Sequence, residues 1–119
     1  MRIQDLQQEL KALTAGIEHP RVGAALALAE ECGEVMRCVL DREYYGKDVT
    51  KDLEGEVGDV LVALTELCDR FGISLEVAAQ GAVEKIRRKA PQSRAELGDR
   101  LIELRKRMDG GSGPAPAST

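Results

Sequence analysis

The sequence predicts an all-α domain with a four-helix core, an extra C-terminal helix and a disordered tail. Apolar residues recur at helical spacing through most of the chain. The composition is dominated by good helix formers such as Leu, Ala, Glu, Lys and Arg. No segment shows the alternation of a half-buried strand. With 119 residues, the chain is expected to form one domain at residues 1–109, followed by a tail at residues 110–119.

The first half of the chain is predicted to contain two helices joined by a turn. The apolar positions of the first helix, over residues 2–15, are Ile3, Leu6, Leu10 and Leu13. The turn contains His19, which we expect to be a solvated loop residue, next to Pro20. The second helix is predicted to run from Pro20 or Arg21 to about Arg42, because proline suits the first turn of a helix.

A polar connection is predicted after the second helix. It contains Tyr44 and Tyr45, whose rings could either stack on a planar ligand or cover the end of the helical bundle. The third helix is expected to begin near Asp48 or Thr50, since both are good N-cap residues. It is expected to end at Gly72, because glycine often follows the last turn of a helix.

Two further helices are predicted in the last third of the chain. Ser74 is expected to cap the fourth helix, which covers about residues 74–89 and is stopped by Pro91. The segment Ser93-Arg94-Ala95-Glu96 has the capping-box pattern and is expected to open the extra helix, over about residues 93–108. The tail that follows is rich in Gly, Pro, Ser and Ala, so we expect it to be disordered.

Two segments are apolar on more than one side, namely Val22–Ala29 in the second helix and Val60–Leu64 in the third. A monomer built from a few helices cannot cover both segments. We therefore predict that a second subunit covers them.

Five carboxylates stand out because they lie next to these apolar segments. They are Glu30, Glu31 and Glu34 in the second helix and Glu56 and Asp59 in the third. Residues three or four apart share a helix face, so these like charges are neighbours beside a core. Many acidic helix faces are simply solvated, whereas a divalent cation would convert this repulsion into coordination. The flanking apolar segments favour the metal site.

The ligand types indicate the kind of metal. Carboxylate oxygens are hard ligands that suit Mg²⁺, with Mn²⁺ as a substitute. No His lies in either acidic cluster, which argues against zinc and against a di-iron site with Glu-x-x-His. Cys32, Cys38 and Cys68 lack Cys-x-x-Cys spacing, and we expect reduced, half-buried thiols. Because Mg²⁺ held by a few carboxylates usually meets substrate phosphates, the pattern indicates phosphoryl or nucleotidyl transfer.

The motifs Glu30-Glu31-x-x-Glu34 and Glu56-x-x-Asp59 resemble the signature of the MazG-like all-α nucleoside triphosphate pyrophosphohydrolases. The segment Phe71-Gly72-Ile73-Ser74-Leu75-Glu76, before a helix that ends in Lys and Arg, is also similar to that family. The resemblance covers about residues 5–90. It implies a four-helix core assembled as a homodimer or homotetramer. It further implies Mg²⁺-dependent hydrolysis of a (deoxy)nucleoside triphosphate to the monophosphate and pyrophosphate, as in nucleotide-pool housecleaning.

The resemblance also implies roles for individual residues. The metal ligands would be Glu31, Glu34, Glu56 and Asp59. Glu30 and Glu31 would be catalytic, with Glu30 binding a second metal ion or orienting the attacking water. Lys85 would reach a substrate phosphate, with Arg88 or Lys89 as a supporting cation. An Asn often found in the family two residues before this lysine is Val83 here.

Alternative functions stay open on the sequence. The chain could hydrolyse another pyrophosphate-containing metabolite, such as a phosphoribosyl nucleotide. It could also be a helical dimerisation or regulatory module that binds metal without turnover. The net charge of −4 argues against a nucleic-acid partner. No apolar run approaches the ~20 residues that span a bilayer, and the N-terminus lacks a secretory apolar region, so we expect a cytoplasmic protein without a membrane partner.

Overall fold

The computed structural model describes residues 1–110 and contains four α-helices in that range. They are α1 (Ile3–Leu13), α2 (Arg21–Tyr45), α3 (Thr50–Arg70) and α4 (Leu75–Met108). The predicted all-α class is therefore confirmed. The chain divides into two compact units, the first at Met1–Ala78 and the second beginning at Ala79. The predicted tail lies outside the described residues, apart from Gly110.

Helix α2 is three residues longer than the sequence predicted. It ends where Gly46 adopts a left-handed backbone with φ of 63°, and the Gly46 N–H donates to the Arg42 carbonyl at 3.1 Å. Tyr44 and Tyr45 therefore belong to the last turn of α2, and their prediction as part of a loop was wrong. Both rings are exposed, and the Lys47 Nζ atom lies 5.9 Å from the centre of the Tyr45 ring. Glycine adopts this left-handed conformation at little cost, so Gly46 suits the end of the helix.

Helix α3 begins near the predicted position, but its N-cap residue is Val49, and no side chain forms the predicted cap. The Asp48 carboxylate accepts hydrogen bonds from the Thr50 backbone N–H at 3.3 Å and from the Thr50 hydroxyl at 3.1 Å. The helix ends at Arg70, two residues before Gly72, whose φ is 67°. The chain then turns through Ser74, whose hydroxyl oxygen accepts a hydrogen bond from the Val77 N–H at 3.2 Å and so caps α4 as expected.

Helix α4 does not stop at Pro91. It continues to Met108, so the extra helix predicted over residues 93–108 is the second half of α4 and not a separate element. A proline inside a helix removes one backbone hydrogen bond and costs ~3 kcal/mol, but strong helix formers on both sides carry the helix through. In place of a capping box at Ser93, the Gln92 amide donates to the Glu96 carboxylate at 2.9 Å, which is an i,i+4 pair within one helix.

The core of the first unit is small. Helix α2 packs along α3, and α1 packs against α3. The buried residues are Ala24, Val49, Ala63, Thr65, Cys68 and Leu75. The completely buried Thr65 hydroxyl donates to the Leu61 carbonyl at 2.7 Å, so it carries no unpaired donor.

Many large apolar side chains stay exposed in this chain. Val22 is 73% exposed and Leu26 is 66% exposed, and both belong to the first of the two apolar segments. Val62 in the second segment is 42% exposed. Among the cysteines, Cys68 is buried and Cys38 is half-buried, whereas Cys32 is exposed. Among the described residues, no helix has both the length and the apolarity to cross a membrane.

Candidate metal centre

Three carboxylates converge where α2 packs on α3. One oxygen from each of Glu31, Glu56 and Asp59 lies within 4.8 Å of the corresponding oxygens of the other two. Glu31 comes from the middle of α2, and the other two come from α3. Glu56 and Asp59 are three residues apart, so they stand one turn apart on the face of α3 that meets α2.

Glu34 and Glu30 stand at the edge of this three-carboxylate cluster. Neither belongs to the converging group, and both are exposed. The charge of Glu34 nevertheless contributes to raising the pKa of Glu56, and that of Glu30 contributes to raising the pKa of Glu31. The structure therefore places all five predicted carboxylates in one neighbourhood, with three at its centre.

The electrostatics of the cluster are those of crowded negative charge. Partial burial raises the pKa of the Glu31 carboxyl, and the charges of Asp59 and Glu56 raise it further. Partial burial likewise raises the pKa of Glu56, followed by the effects of Glu34 and Asp59. Within residues 1–110, no Lys, Arg or His forms an ion pair with any of the five carboxylates. Repulsion between like charges was expected here. In the structure, loss of solvation is the larger cause of the raised pKa values of Glu31 and Glu56.

The residues present fit a hard divalent cation. Oxygens on opposite sides of an Mg²⁺ ion bound at ~2.1 Å lie ~4.2 Å apart, which is compatible with the spacing of this cluster. The nearby thiol of Cys38 is a poor competing ligand, because partial burial and the charge of Glu56 raise its pKa and keep it protonated. The donor set is therefore made of carboxylate oxygens, as Mg²⁺ and Mn²⁺ prefer.

Two further carboxylates, which the sequence pattern did not single out, lie close enough to this region to affect its pKa values. The charges of Asp52 and Asp41 also raise the pKa of the Cys38 thiol, and that of Asp52 raises the pKa of Glu56. Asp52 lies four residues before Glu56, so helical spacing could have found it. Asp41 differs from the cluster because it has cations nearby, with Arg37 Nε at 3.5 Å and Lys47 Nζ at 4.0 Å from its Oδ1 atom.

The predicted phosphate-binding cations lie on α4. Lys85, Arg88 and Lys89 are all exposed, and their spacing of three and four residues places them on one face of the helix. None of the three forms an ion pair within the described part of the chain, whereas the neighbouring Arg87 pairs with Glu84. These cations belong to the second unit, and the carboxylates belong to the first.

His19 lies in the loop between α1 and α2 and is exposed, as expected. Its ring Nδ1 lies 2.7 Å from the Glu66 carboxylate, and its backbone N–H donates to the same oxygen at 2.8 Å. His19 therefore also joins the connection between α1 and α2 to α3, a contact that the sequence did not predict. The partner lies 47 residues away in sequence, so no local pattern indicates it.

Comparison with known proteins identifies one matching family. The family model described as MazG nucleotide pyrophosphohydrolase domain matches residues 23–94. The match contains all five carboxylates and the three cations of α4. Comparisons with curated proteins and with solved structures give no match.

Proposed function

Since the chain belongs to the MazG nucleotide pyrophosphohydrolase family, we propose that it hydrolyses a (deoxy)nucleoside triphosphate to the monophosphate and pyrophosphate with Mg²⁺. Members of this family are nucleotide pyrophosphohydrolases and generally depend on a divalent metal. We place the reaction in the cytoplasm, as housecleaning of the nucleotide pool. The observation that carries the proposal is the convergence of Glu31, Glu56 and Asp59 within 4.8 Å.

In this proposal the metal is held by Glu31, Glu56 and Asp59 together with Glu34, whose charge contributes to raising the pKa of Glu56. A bound Mg²⁺ neutralises phosphate charge and lowers the pKa of a bound water. The crowded carboxylates supply the opposite charge without competition from neighbouring Lys or Arg residues. Asp52 stays outside the proposed ligand set because its carboxylate is not part of the converging group.

The remaining residues act on water and on the substrate. A water oxygen forms a bond to one phosphorus of the α–β bridge, and the bond from that phosphorus to the bridging oxygen breaks, which separates the monophosphate from pyrophosphate. Glu30, exposed at the edge of the cluster, accepts the proton that this water loses, and Glu31 assists it. Lys85 binds a phosphate oxygen, with Arg88 or Lys89 beside it on the same face of α4. A cation bound to a phosphate oxygen stabilises the negative charge that develops as the bridging bond breaks.

We further propose that the active form is a homodimer or homotetramer. The support is the exposure of Val22, Leu26 and Val62 in a unit whose buried core contains few large apolar side chains. Burial of apolar surface contributes ~25 cal/mol per Å², so covering these faces is worth several kcal/mol. Light scattering at micromolar concentration is expected to give a mass of at least two chains. A folded monomer would contradict the proposal.

The test of the reaction is a panel of ribo- and deoxyribonucleoside triphosphates, with oxidised and deaminated forms, assayed for pyrophosphate release with and without Mg²⁺. Glu34→Gln and Asp59→Asn are expected to abolish release. Glu54→Gln is the matched control, since Glu54 is an exposed α3 carboxylate outside the cluster and its loss should leave release unchanged. If the chain hydrolysed a phosphoribosyl nucleotide and none of the triphosphates, the substrate would be that other class of pyrophosphate compound. Metal binding without pyrophosphate release from any compound would instead support a regulatory module.

A further inference from the structure

One side of α2 carries a continuous apolar strip that is exposed to solvent. Its members are spaced alternately four and three residues apart, and all of them are exposed: Val22, Leu26, Ala29, Gly33, Met36 and Leu40. This spacing is the repeat of about 3.5 residues with which one helix packs along another. At 1.5 Å per residue, this α2 strip is ~27 Å long.

The α2 strip lies on the opposite side of the helix from the carboxylate cluster. At about 100° per residue, Glu31 projects ~180° from the middle of the strip, and the buried Ala24 projects ~160° from it. Helix α2 is therefore apolar on two opposite sides, of which α3 covers one. A further helix can pack on the strip without obstructing the carboxylates.

The strip has the same size profile from either end, with large side chains at its four outer positions and small ones at its two central positions. The members of each pair lie equally far from Glu31, at nine residues for Val22 and Leu40, five for Leu26 and Met36, and two for Ala29 and Gly33. A two-fold interface brings the same surface of two copies together, so that surface must be complementary to itself. Two antiparallel α2 helices that cross at residue 31 meet this condition, because the small central residues let the helix axes approach to ~8 Å.

We infer that a second copy of this chain docks on the α2 strip, with the two α2 helices antiparallel. The strip is ~27 Å long on a helix ~10 Å wide, which gives a patch of a few hundred Å², the size that marks protein interaction sites. This inference rests on the oligomer included in the proposed function, and it adds the surface and the direction of packing.

The charges at one edge of the strip also fit a second copy. In the antiparallel pair, Glu30 lies ~7.5 Å along the helix from Arg37 of the second copy, which their two long side chains can span. The two-fold axis forms this pair of opposite charges twice. The two Glu30 side chains approach each other near the axis, and the two Arg37 side chains offset their repulsion.

Cys32 provides a test in the unmodified chain. It is exposed at the other edge of the strip, one residue past the crossing, so the two copies of Cys32 are offset by only ~3 Å along the helix. A short bismaleimide should therefore couple two chains through Cys32. Cys32→Ser should abolish the coupling. Cys38→Ser should retain it, because Cys38 is half-buried on the opposite side of α2.

Two cysteine substitutions in a Cys32→Ser chain test the direction of packing. Val22→Cys or Leu40→Cys alone should give no disulfide-linked dimer, because antiparallel packing places equivalent positions ~27 Å apart. A chain with both substitutions should give the dimer, since position 22 faces position 40 of the second copy. Linked dimers from either single variant would indicate parallel packing and overturn the inference.

Gly33→Leu tests the crossing itself. A Cβ atom built at Gly33 has no atom within 4 Å beyond its own helix backbone and sequence neighbours, so a single chain should tolerate leucine, with unchanged helix content by circular dichroism. Between two copies, the leucine would hold the backbones apart. We expect the dissociation constant of the dimer, measured by sedimentation, to rise at least about thirtyfold, because the change acts twice across the axis. Gly81→Leu on α4 is the matched control, since a Cβ atom there also has open space, and it should leave the dimer intact.

The outcomes separate this inference from the proposed function. An oligomer that neither couples through Cys32 nor weakens in Gly33→Leu would overturn the α2 strip as its interface and leave the proposed oligomer standing. A folded monomer at micromolar concentration would overturn both. A dimer that couples through Cys32, but releases pyrophosphate from no nucleotide, would support the interface and reject the proposed reaction.

Discussion

Replacing Gly58 with alanine should stabilise the protein and reduce its activity. Gly58 lies in the interior of α3, between Glu56 and Asp59. A glycine inside a helix lowers the free energy of unfolding by roughly 0.5–1 kcal/mol relative to alanine, because glycine loses more backbone freedom on folding. A Cβ atom built at Gly58 has no atom within 4 Å beyond its own helix backbone and sequence neighbours. The added methyl group therefore meets no steric obstacle within the chain.

The expected gain follows from these facts. For a unit of this size, 1 kcal/mol corresponds to ~4–8 °C in melting temperature, so Gly58→Ala should raise it by ~2–8 °C. Thermal unfolding followed by circular dichroism in the presence of a chelator measures this gain without a contribution from metal. We expect pyrophosphate release to fall in the same variant, because the added methyl group would stand beside Asp59, a proposed metal ligand, and would crowd a nucleotide bound there.

Two other glycines provide controls of graded severity. At Gly23 a Cβ would lie 3.4 Å from both His19 Cβ and Pro20 Cδ, so Gly23→Ala should gain little. At Gly46 the backbone has φ of 63°, which alanine adopts only with strain, so Gly46→Ala should lower the melting temperature. A lower melting temperature for Gly58→Ala would refute the reasoning, because it would show that another surface packs on α3 there.

Three further measurements test the site and the chain end. The pKa values of Glu31 and Glu56 are raised in the folded state. Above the ordinary carboxyl pKa of ~4.3, the folded chain therefore binds more protons than the unfolded chain. The free energy of unfolding of the metal-free protein should consequently fall as the pH rises through the raised pKa values. In chelator, the melting temperature of Glu31→Gln minus that of wild type should therefore increase from pH 4 to pH 7. A difference that does not change with pH would show that the titration of Glu31 does not affect stability. Mg²⁺ should raise the melting temperature of wild type and raise that of Asp59→Asn much less, whereas metal-free Asp59→Asn should be at least as stable as wild type; a destabilised metal-free variant would indicate a structural role. Truncation after Asp109 should leave melting temperature and turnover near wild type, because the composition of the removed tail cannot bury enough apolar surface to offset its ordering; a large loss of either would contradict this.

Local rules predicted much of this fold because local chemistry determines most of its boundaries. Ser74 caps α4 as its residue type indicates, and Asp48 accepts a hydrogen bond from Thr50 where α3 begins. Helical spacing also predicted that the carboxylates within each helix would be neighbours, and three carboxylates from the two helices converge. The rule failed at Pro91, where a single residue signals a stop but the helix formers on both sides outweigh its cost. A stop signal is therefore decisive only when its neighbours also disfavour helix.

The contacts that sequence reasoning missed are those that join distant parts of the chain through side chains. Gln7 bonds to residues 62–68 positions away, and His19 bonds to Glu66 across 47 positions. A glutamine or histidine gives no periodic signal, because its amide or ring can satisfy backbone groups of any segment that the fold brings near. The contacts of these side chains can be recognised only once the packing of α1 on α3 is known.

The charge distribution of the chain implies an order of binding at the proposed site. The first unit contains sixteen acidic and eight basic side chains, whereas basic residues outnumber acidic ones in the second. A nucleoside triphosphate is itself a polyanion, so the five unpaired carboxylates repel it until a cation lies between them. Exposed cations such as Lys85 cannot remove this repulsion alone, because water and salt screen them. We therefore expect that nucleotide affinity depends steeply on Mg²⁺, and that Lys85→Ala weakens nucleotide binding in the presence of Mg²⁺ while leaving Mg²⁺ affinity unchanged. If nucleotide binds equally well in chelator, the carboxylates do not face the phosphates, and the cluster serves another purpose.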